Sequence, residues 1–142
     1  MESSLQTIAA EKSEIDKIIK QFFDVFNNTG QNQPDWTILA QICIPETLII
    51  KKTGITETTY DLNSFIEPRK VILTNGTFLD FSEEELEEET KIIGNIAQRH
   101  SRYQKSGTLN NNTFLERGTK LFQLIKTDIG WKISSLVWED DL

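Results

Sequence analysis

The sequence predicts an α+β domain in which helices come first and long antiparallel strands come last. A long N-terminal helix and two shorter ones pack on a strongly curved, mainly antiparallel sheet that ends in a three-stranded meander. Three observations carry this. The first third of the chain repeats its apolar residues at helical spacing. The last third changes to long runs rich in β-branched and aromatic residues, separated by Gly- and Asn-containing turns. Few β-α-β crossovers lie between them, which excludes a doubly wound parallel sheet.

Ile15, Ile18, Ile19, Phe22, Phe23 and Phe26 recur at i, i+3, i+4 and i+7 and define one apolar face. Leu5 and Ile8 fall roughly in phase, so the first helix starts near Ser4 or at a later cap formed by Ser13 and Asp16. Asn27-Asn28-Thr29-Gly30 ends it. A second helix is predicted over 34–43, opened by Pro34, burying Trp36, Leu39 and Ile42 and stopped by Pro45. Short strands are predicted over 47–52 and 55–60 around Gly54. Asp61 then caps a third helix, which Pro68 should kink or divide and Asn75-Gly76 ends. The meander is predicted over 87–105, 113–127 and 131–139. Gly107 with Asn110-Asn111-Asn112 marks its first turn and Asp128-Ile129-Gly130 its second, while Gly94 and Gly118 offer places to bend. No repeat, low-complexity tract or linker interrupts the chain, so 1–142 is expected to be one domain with its core over about 15–140.

Composition limits the function classes. With 142 residues, 37% apolar and 26% charged, the chain is long enough to bury a core without staples and too apolar for disorder. A net charge of −7 argues against a general nucleic-acid binder and against docking on anionic membrane. The lone Cys43 has no internal disulfide partner, the first residues lack a signal-peptide pattern, and no apolar run reaches the ~20 residues of a membrane span, so a cytoplasmic location is expected. One cysteine and one histidine make no ordinary zinc site, and Walker A and G-x-G-x-x-G patterns are absent; neither metal nor cofactor is expected.

Three stretches resemble the nuclear transport factor 2-like superfamily, in particular its SnoaL-like and uncharacterised bacterial members. They are Asp61-Leu62-Asn63-Ser64-Phe65-Ile66-Glu67-Pro68-Arg69, Gly94-Asn95-Ile96-Ala97-Gln98-Arg99-His100-Ser101-Arg102-Tyr103 and Gly130-Trp131-Lys132-Ile133-Ser134-Ser135-Leu136-Val137-Trp138. The resemblance implies a conical, usually homodimeric fold with a pocket between helices and concave sheet. The superfamily contains ketosteroid isomerases, dehydratases, polyketide cyclases and transport adaptors, so the fold does not select a function. The expected function is a small-molecule-binding or non-catalytic module. A cofactor-independent isomerase, dehydratase or cyclase-like enzyme is the alternative, and a protein-interaction adaptor the third.

The ligand-pocket candidates are Tyr60, Arg99, His100, Tyr103, Arg117 and Trp131. Arg99 and Arg117 suit a carboxylate or phosphate clamp if they point inward, and outer-face ion pairs if they do not; alternation fixes which residues share a face, not which face is inside. Tyr60 and Tyr103 suit hydrogen-bond donors. An isomerase or dehydratase also needs a carboxylate base raised toward neutrality. Asp24, Asp80 and Glu116 fall in no catalytic motif and read as surface groups, so catalytic residues stay unassigned. His100 stands in a strand without a nucleophile signature. Glu83-Glu84-Glu85-Leu86-Glu87-Glu88-Glu89 lacks the Asp/Asn ladder of a calcium loop and reads as a solvated acidic edge, with Ser82 and Glu85 capping one helical turn.

A homodimer through the convex sheet face is expected on separate grounds. Apolar residues occupy both parities of every meander strand: Ile92 and Ile96 against Ile93 and Ala97, Phe122 and Leu124 against Leu121 and Ile125, Trp131, Ile133 and Val137 against Leu136 and Trp138. Helices cover only the concave side, so a partner is needed for the other. A small apolar or anionic ligand is the other expected partner.

Overall fold

The computed structural model describes residues 2–141. Met1 and Leu142, the ends of the expected 1–142 span, lie outside the described residues. Helix α1 runs Glu2–Asp24 and buries Ile15, Ile18, Ile19, Phe22 and Phe23, the stripe its spacing predicts. A single 3-10 turn, Thr29–Gln31, leads to the short α2, Thr37–Ile42. Leu39 and Ile42 are buried there, but Trp36 sits at the N-cap, half-buried, with its ring edge-on to Phe26 at 5.8 Å.

Strand β1, Cys43–Thr53, begins where α2 ends and carries a bulge around Pro45. It pairs with β2, Thr56–Tyr60, and a helix α3, Leu62–Thr74, follows. The Asp61 carboxylate accepts from the Ser64 backbone N–H at 2.8 Å, and the Ser64 hydroxyl accepts from the Asp61 N–H at 3.0 Å. This reciprocal cap, with Phe65 and Leu73 buried, carries α3 through Pro68 as one helix, so the expected division does not occur.

Four strands follow rather than three: β3 (Phe78–Ile93), β4 (Ile96–Leu109), β5 (Asn112–Thr127) and β6 (Gly130–Asp140). The stretch 87–105, read from sequence as one strand, is a hairpin. Gly94, at φ 59°, makes its tight turn with Asn95. Gly-Asn is a two-residue hairpin signal, and that role takes precedence over the bend expected of Gly94. Ser82 and Glu85 lie in β3, not in a helical turn. Asn110 and Asn111, both at positive φ, close the next hairpin, leaving Gly107 inside β4. The sheet order is β2-β1-β6-β5-β4-β3, antiparallel throughout except for the parallel β1–β6 pair.

Register shifts set the curvature and the faces. They fall between Leu79 and Ser82, at Leu86, and at Ser134, while the β4–β5 ladder passes Gly118 unbroken. The shift at Ser134 turns Trp131, Ile133, Leu136 and Trp138 all toward the core and leaves Val137 outside. A bulge therefore removes most of the two-sided apolar pattern in β6. Of the meander residues with two-sided alternation, Ile93, Ile96, Leu121, Ile125 and Val137 remain on the outer face, beside Leu48, Ile50 and Leu115.

Candidate functional site

The concave face presents Arg99, Ser101 and Tyr103 from β4, Lys120, Phe122 and Leu124 from β5, and Leu136, Trp138 and Asp140 from β6. Helix α3 and the end of α1 leave a gap above one end of this face. The result is a cavity of about 280 Å³ walled by Phe22, Phe26, Tyr60, Phe65, Phe81 and Trp138. The rings of Tyr60 and Trp138 lie nearly parallel, 6.2 Å apart, and Phe65 meets both edge-on at 5.8 Å.

Four cations and one acid line this aromatic space: Lys51, Arg69, Lys105, Lys120 and Glu83. Lys120 Nζ is 2.9 Å from a Glu83 carboxylate oxygen, and both side chains are buried. Burial pulls the Lys120 pKa below its ordinary value, and the Glu83 charge pushes back. The ammonium also stands 4.1 Å from the Tyr103 ring centre. Asp140, just below the cavity, accepts from the Tyr103 hydroxyl and from Lys105 at 3.0 Å, with Lys51 at 3.7 Å. Arg69 is held differently. Its guanidinium lies 3.9 Å from the Phe65 ring centre, 5.1 Å from Tyr60 and 5.5 Å from Trp138, and its Nη1 donates to the Phe65 carbonyl at 3.0 Å. Among the described residues, no carboxylate forms an ion pair with it.

Of the six residues singled out from sequence, Tyr60 lines the cavity and Tyr103 lies fully buried beneath it. Arg99 points inward but elsewhere: its fork is taken by Asp16 at 2.5 Å and Glu85 at 2.6 Å, with Glu88 at 3.6 Å, in a cluster under α1. Trp131 is core, its backbone N–H donating to Glu14 at 2.7 Å and its indole N–H to Glu11. His100 and Arg117 are on the outer face, His100 at 3.9 Å from Glu89 and Arg117 donating to Gln104 at 3.1 Å. The clamp expected of Arg99 and Arg117 is therefore not assembled, because opposite parity separates them and acids already occupy the inner one. Asp24, Asp80 and Glu116 are exposed, as read from sequence.

Sequence reasoning missed the polar groups of the cavity. The signal for Lys120 is its place in the alternation Gly118, Lys120, Phe122, Leu124. The acidic run is only half a solvated edge: Glu83 is buried, and Glu85 and Glu88 turn inward to Arg99, while Glu84, Glu87 and Glu89 face solvent.

The chemistry available follows from these partners. A carboxylate does stand beside Tyr103, the arrangement an isomerase-like site needs. Burial pushes the Asp140 carboxyl up, but the Tyr103 hydroxyl, Lys105 and Lys51 outweigh it and hold the pKa below its ordinary value. A general base of this kind needs the opposite shift. Burial pushes the Cys43 thiol up to about 12, so it stays protonated. Among the described residues no three His, Cys, Asp or Glu side chains are grouped to hold a metal, and no helix is long and apolar enough to cross a membrane.

No family model and no curated protein matches the chain. Solved structures do. The protein Kfla4162 from Kribbella flavida is 15% identical with a TM-score of 0.78, covering 95% of this chain and 93% of its own. The structure of LinA is 14% identical with a TM-score of 0.80, covering 99% and 91%, and a second LinA structure is described as a hexachlorocyclohexane dehydrochlorinase. A nuclear transport factor 2-like protein from Salmonella enterica is 18% identical with a TM-score of 0.75, covering 92% and 91%. A further match, from Novosphingobium aromaticivorans, is described as nuclear transport factor 2-like with a cystatin-like fold. Element order, curled sheet and these alignments agree: the chain has the nuclear transport factor 2-like, cystatin-like α+β fold.

Proposed function

We propose that this protein is a small-molecule-binding module that holds its ligand in the aromatic cavity without transforming it. The observation that carries this reading is the open, ring-walled space of about 280 Å³ between α3, α1 and the concave sheet. It has the character of a ligand site: concave, mostly apolar, with a few converging polar groups. The unfilled cone speaks against a purely structural adaptor, and the depressed Asp140 argues against proton abstraction. The test is native mass spectrometry of freshly purified protein, followed by a thermal-shift screen of small aromatic compounds on wild type and on Ile72→Trp, which fills the cavity from α3. Carried or added ligands should stabilise wild type by several degrees and the variant by less than one. Equal responses from both would place binding elsewhere and overturn the reading.

We further propose that two copies associate through the outer sheet face. Ile50, Val137 and Leu121 form one cross-strand row there, with Val137 38% and Leu121 50% exposed. Around them lie His100, Gln98, Gln123 and Ser135, a polar band whose charges, Glu89, Lys91, Lys52 and Glu139, stand at its rim. Depletion of charge around an apolar centre is the composition of an interface core. Light scattering should give twice the 16.3 kDa chain mass, and Leu121→Glu should give the monomer. A wild-type monomer at micromolar concentration would refute the pairing.

A further inference from the structure

We infer that the cavity takes an aromatic carboxylate, with Arg69 as the counter-ion of its acid group. This rests on the binding reading above and specifies the ligand class for the same site.

The charge count around the cavity runs against the rest of the molecule. The chain holds 22 acidic and 15 basic residues. Yet among the described residues Lys51, Arg69, Lys105 and Lys120 meet two carboxylates there, Glu83 and Asp140. Glu83 is committed to Lys120 at 2.9 Å. Asp140 is divided between Lys105 at 3.0 Å and Lys51 at 3.7 Å, and also holds the Tyr103 hydroxyl. Arg69 has no carboxylate within ion-pair distance among the described residues: it meets three aromatic rings, the Phe65 carbonyl and the Tyr60 hydroxyl, and Glu83 supports its charge only from a distance. Burial accordingly lowers its pKa, although arginine stays protonated in proteins.

A half-buried guanidinium without a contacting carboxylate is costly, and surface arginines ordinarily avoid that cost by staying in water. Here the side chain is directed inward from α3, with one face laid on Phe65 at 3.9 Å. Stacking occupies the plane of the group, and Phe65 O and the Tyr60 oxygen occupy two of its five N–H donors, so three are left for a planar acceptor. A carboxylate matches that edge in two parallel hydrogen bonds. The rest of the space selects the body of the ligand. Phe22, Phe26, Phe81 and Trp138 offer ring faces and edges, and the volume is equivalent to about nine waters, which suits a compact aromatic body.

The test compares matched pairs by isothermal titration calorimetry at neutral pH: 1-naphthoate, indole-3-acetate and 3-phenylpropanoate, each against its primary amide. The amide keeps shape and size and removes the charge. For wild type, at least one acid should bind tenfold or more tightly than its amide. In Arg69→Met the acid should fall to the amide's affinity while the amide changes less than about threefold, and Arg69→Lys should recover part of the preference. Equal affinity of acid and amide for wild type would overturn the carboxylate assignment and leave the binding reading standing. An acid preference that persists in Arg69→Met would overturn the role of Arg69. No binding of any acid or amide would defeat both readings together. The wild-type comparison decides the ligand class even if Arg69→Met fails to fold.

Discussion

Replacing Gly118 by alanine should destabilise the protein by about 2.5–6 kcal/mol, although it adds one methyl group to a strand. Gly118 faces Tyr103 across the β4–β5 ladder, and the tyrosine ring crosses over it to reach Asp140 on β6. A Cβ at position 118 would stand 2.2 Å from Tyr103 Oη, 2.6 Å from Cζ and 2.5 Å from the carbonyl oxygen of Glu139. The ring is fully buried and cannot swing into solvent, and the Glu139 carbonyl belongs to the backbone of the next strand. Overpacking of this kind costs about 1–3 kcal/mol. Pushing the hydroxyl off Asp140 removes a hydrogen bond to a charged group, adding about 1.5–3 kcal/mol. For a chain of this length the sum corresponds to a fall in melting temperature of roughly 8–20 °C, measured by calorimetry and by urea unfolding. The paired variant Tyr103→Leu separates the contributions. On that background the ring is gone, so Gly118→Ala should cost at least about 1.5 kcal/mol less than in the wild type, the remainder being the Glu139 backbone contact. A single-variant loss below about 0.5 kcal/mol, or strict additivity of the two changes, would show that the ring does not cross Gly118.

Phe22→Ala should cost about 3–5 kcal/mol, since Phe22 is 1% exposed and touches Phe23, Phe26, Phe65 and Phe122, whereas half-buried Trp36→Ala should cost about 1–2 kcal/mol in the same unfolding assay. Arg99→Met should cost about 3–5 kcal/mol, because Glu85 loses its buried partner and Asp16 and Glu88 keep only Lys12; a neutral outcome would mean that water and Lys12 screen the cluster. Stability should fall with acid. Asp16, Glu88 and Asp140 are each pushed up by burial, but their cationic and hydrogen-bond partners prevail and hold them below the ordinary carboxylate range. Below about pH 4 the unfolded chain therefore binds protons that the folded one does not, and stability present above that range is lost as pH drops through the depressed folded values. Melting temperatures should be level from about pH 6 to 8 and decline steeply below about 4, with a shallower decline in Asp140→Asn.

How far the sequence reveals this molecule depends on the period of each signal. The α1 stripe and the Asp61 cap are local, and each is where the residues place it. Pro68 is a local signal that was outweighed: the Asp61–Ser64 cap and the burial of Phe65 and Leu73 carry the helix past it. The hairpin at Gly94-Asn95 was hidden because apolar alternation continues on both sides of the turn, through Ile92 and Ala97. The bulge at Ser134 was hidden because one extra residue inverts every later face of β6, and with it the position of Asp140. The candidate site was the least legible part. Its cations come from β1, α3, β4 and β5, and only the register brings Lys51, Arg69, Lys105 and Lys120 together. Arg99 suits a clamp in the sequence because it stands inside a predicted strand, and alternation alone leaves its face open. What settles its role is α1 folding Asp16 over it, a contact 83 residues away in sequence.

The most direct measurement for the central claim is a crystal structure of the protein soaked or co-crystallised with the tightest compound of the calorimetric panel. The ligand ring should lie between Phe22, Tyr60 and Trp138, with its carboxylate within about 3 Å of the Arg69 guanidinium edge. A ligand seated on the outer sheet face, or in the cavity with its acid group turned away from Arg69, would contradict the account.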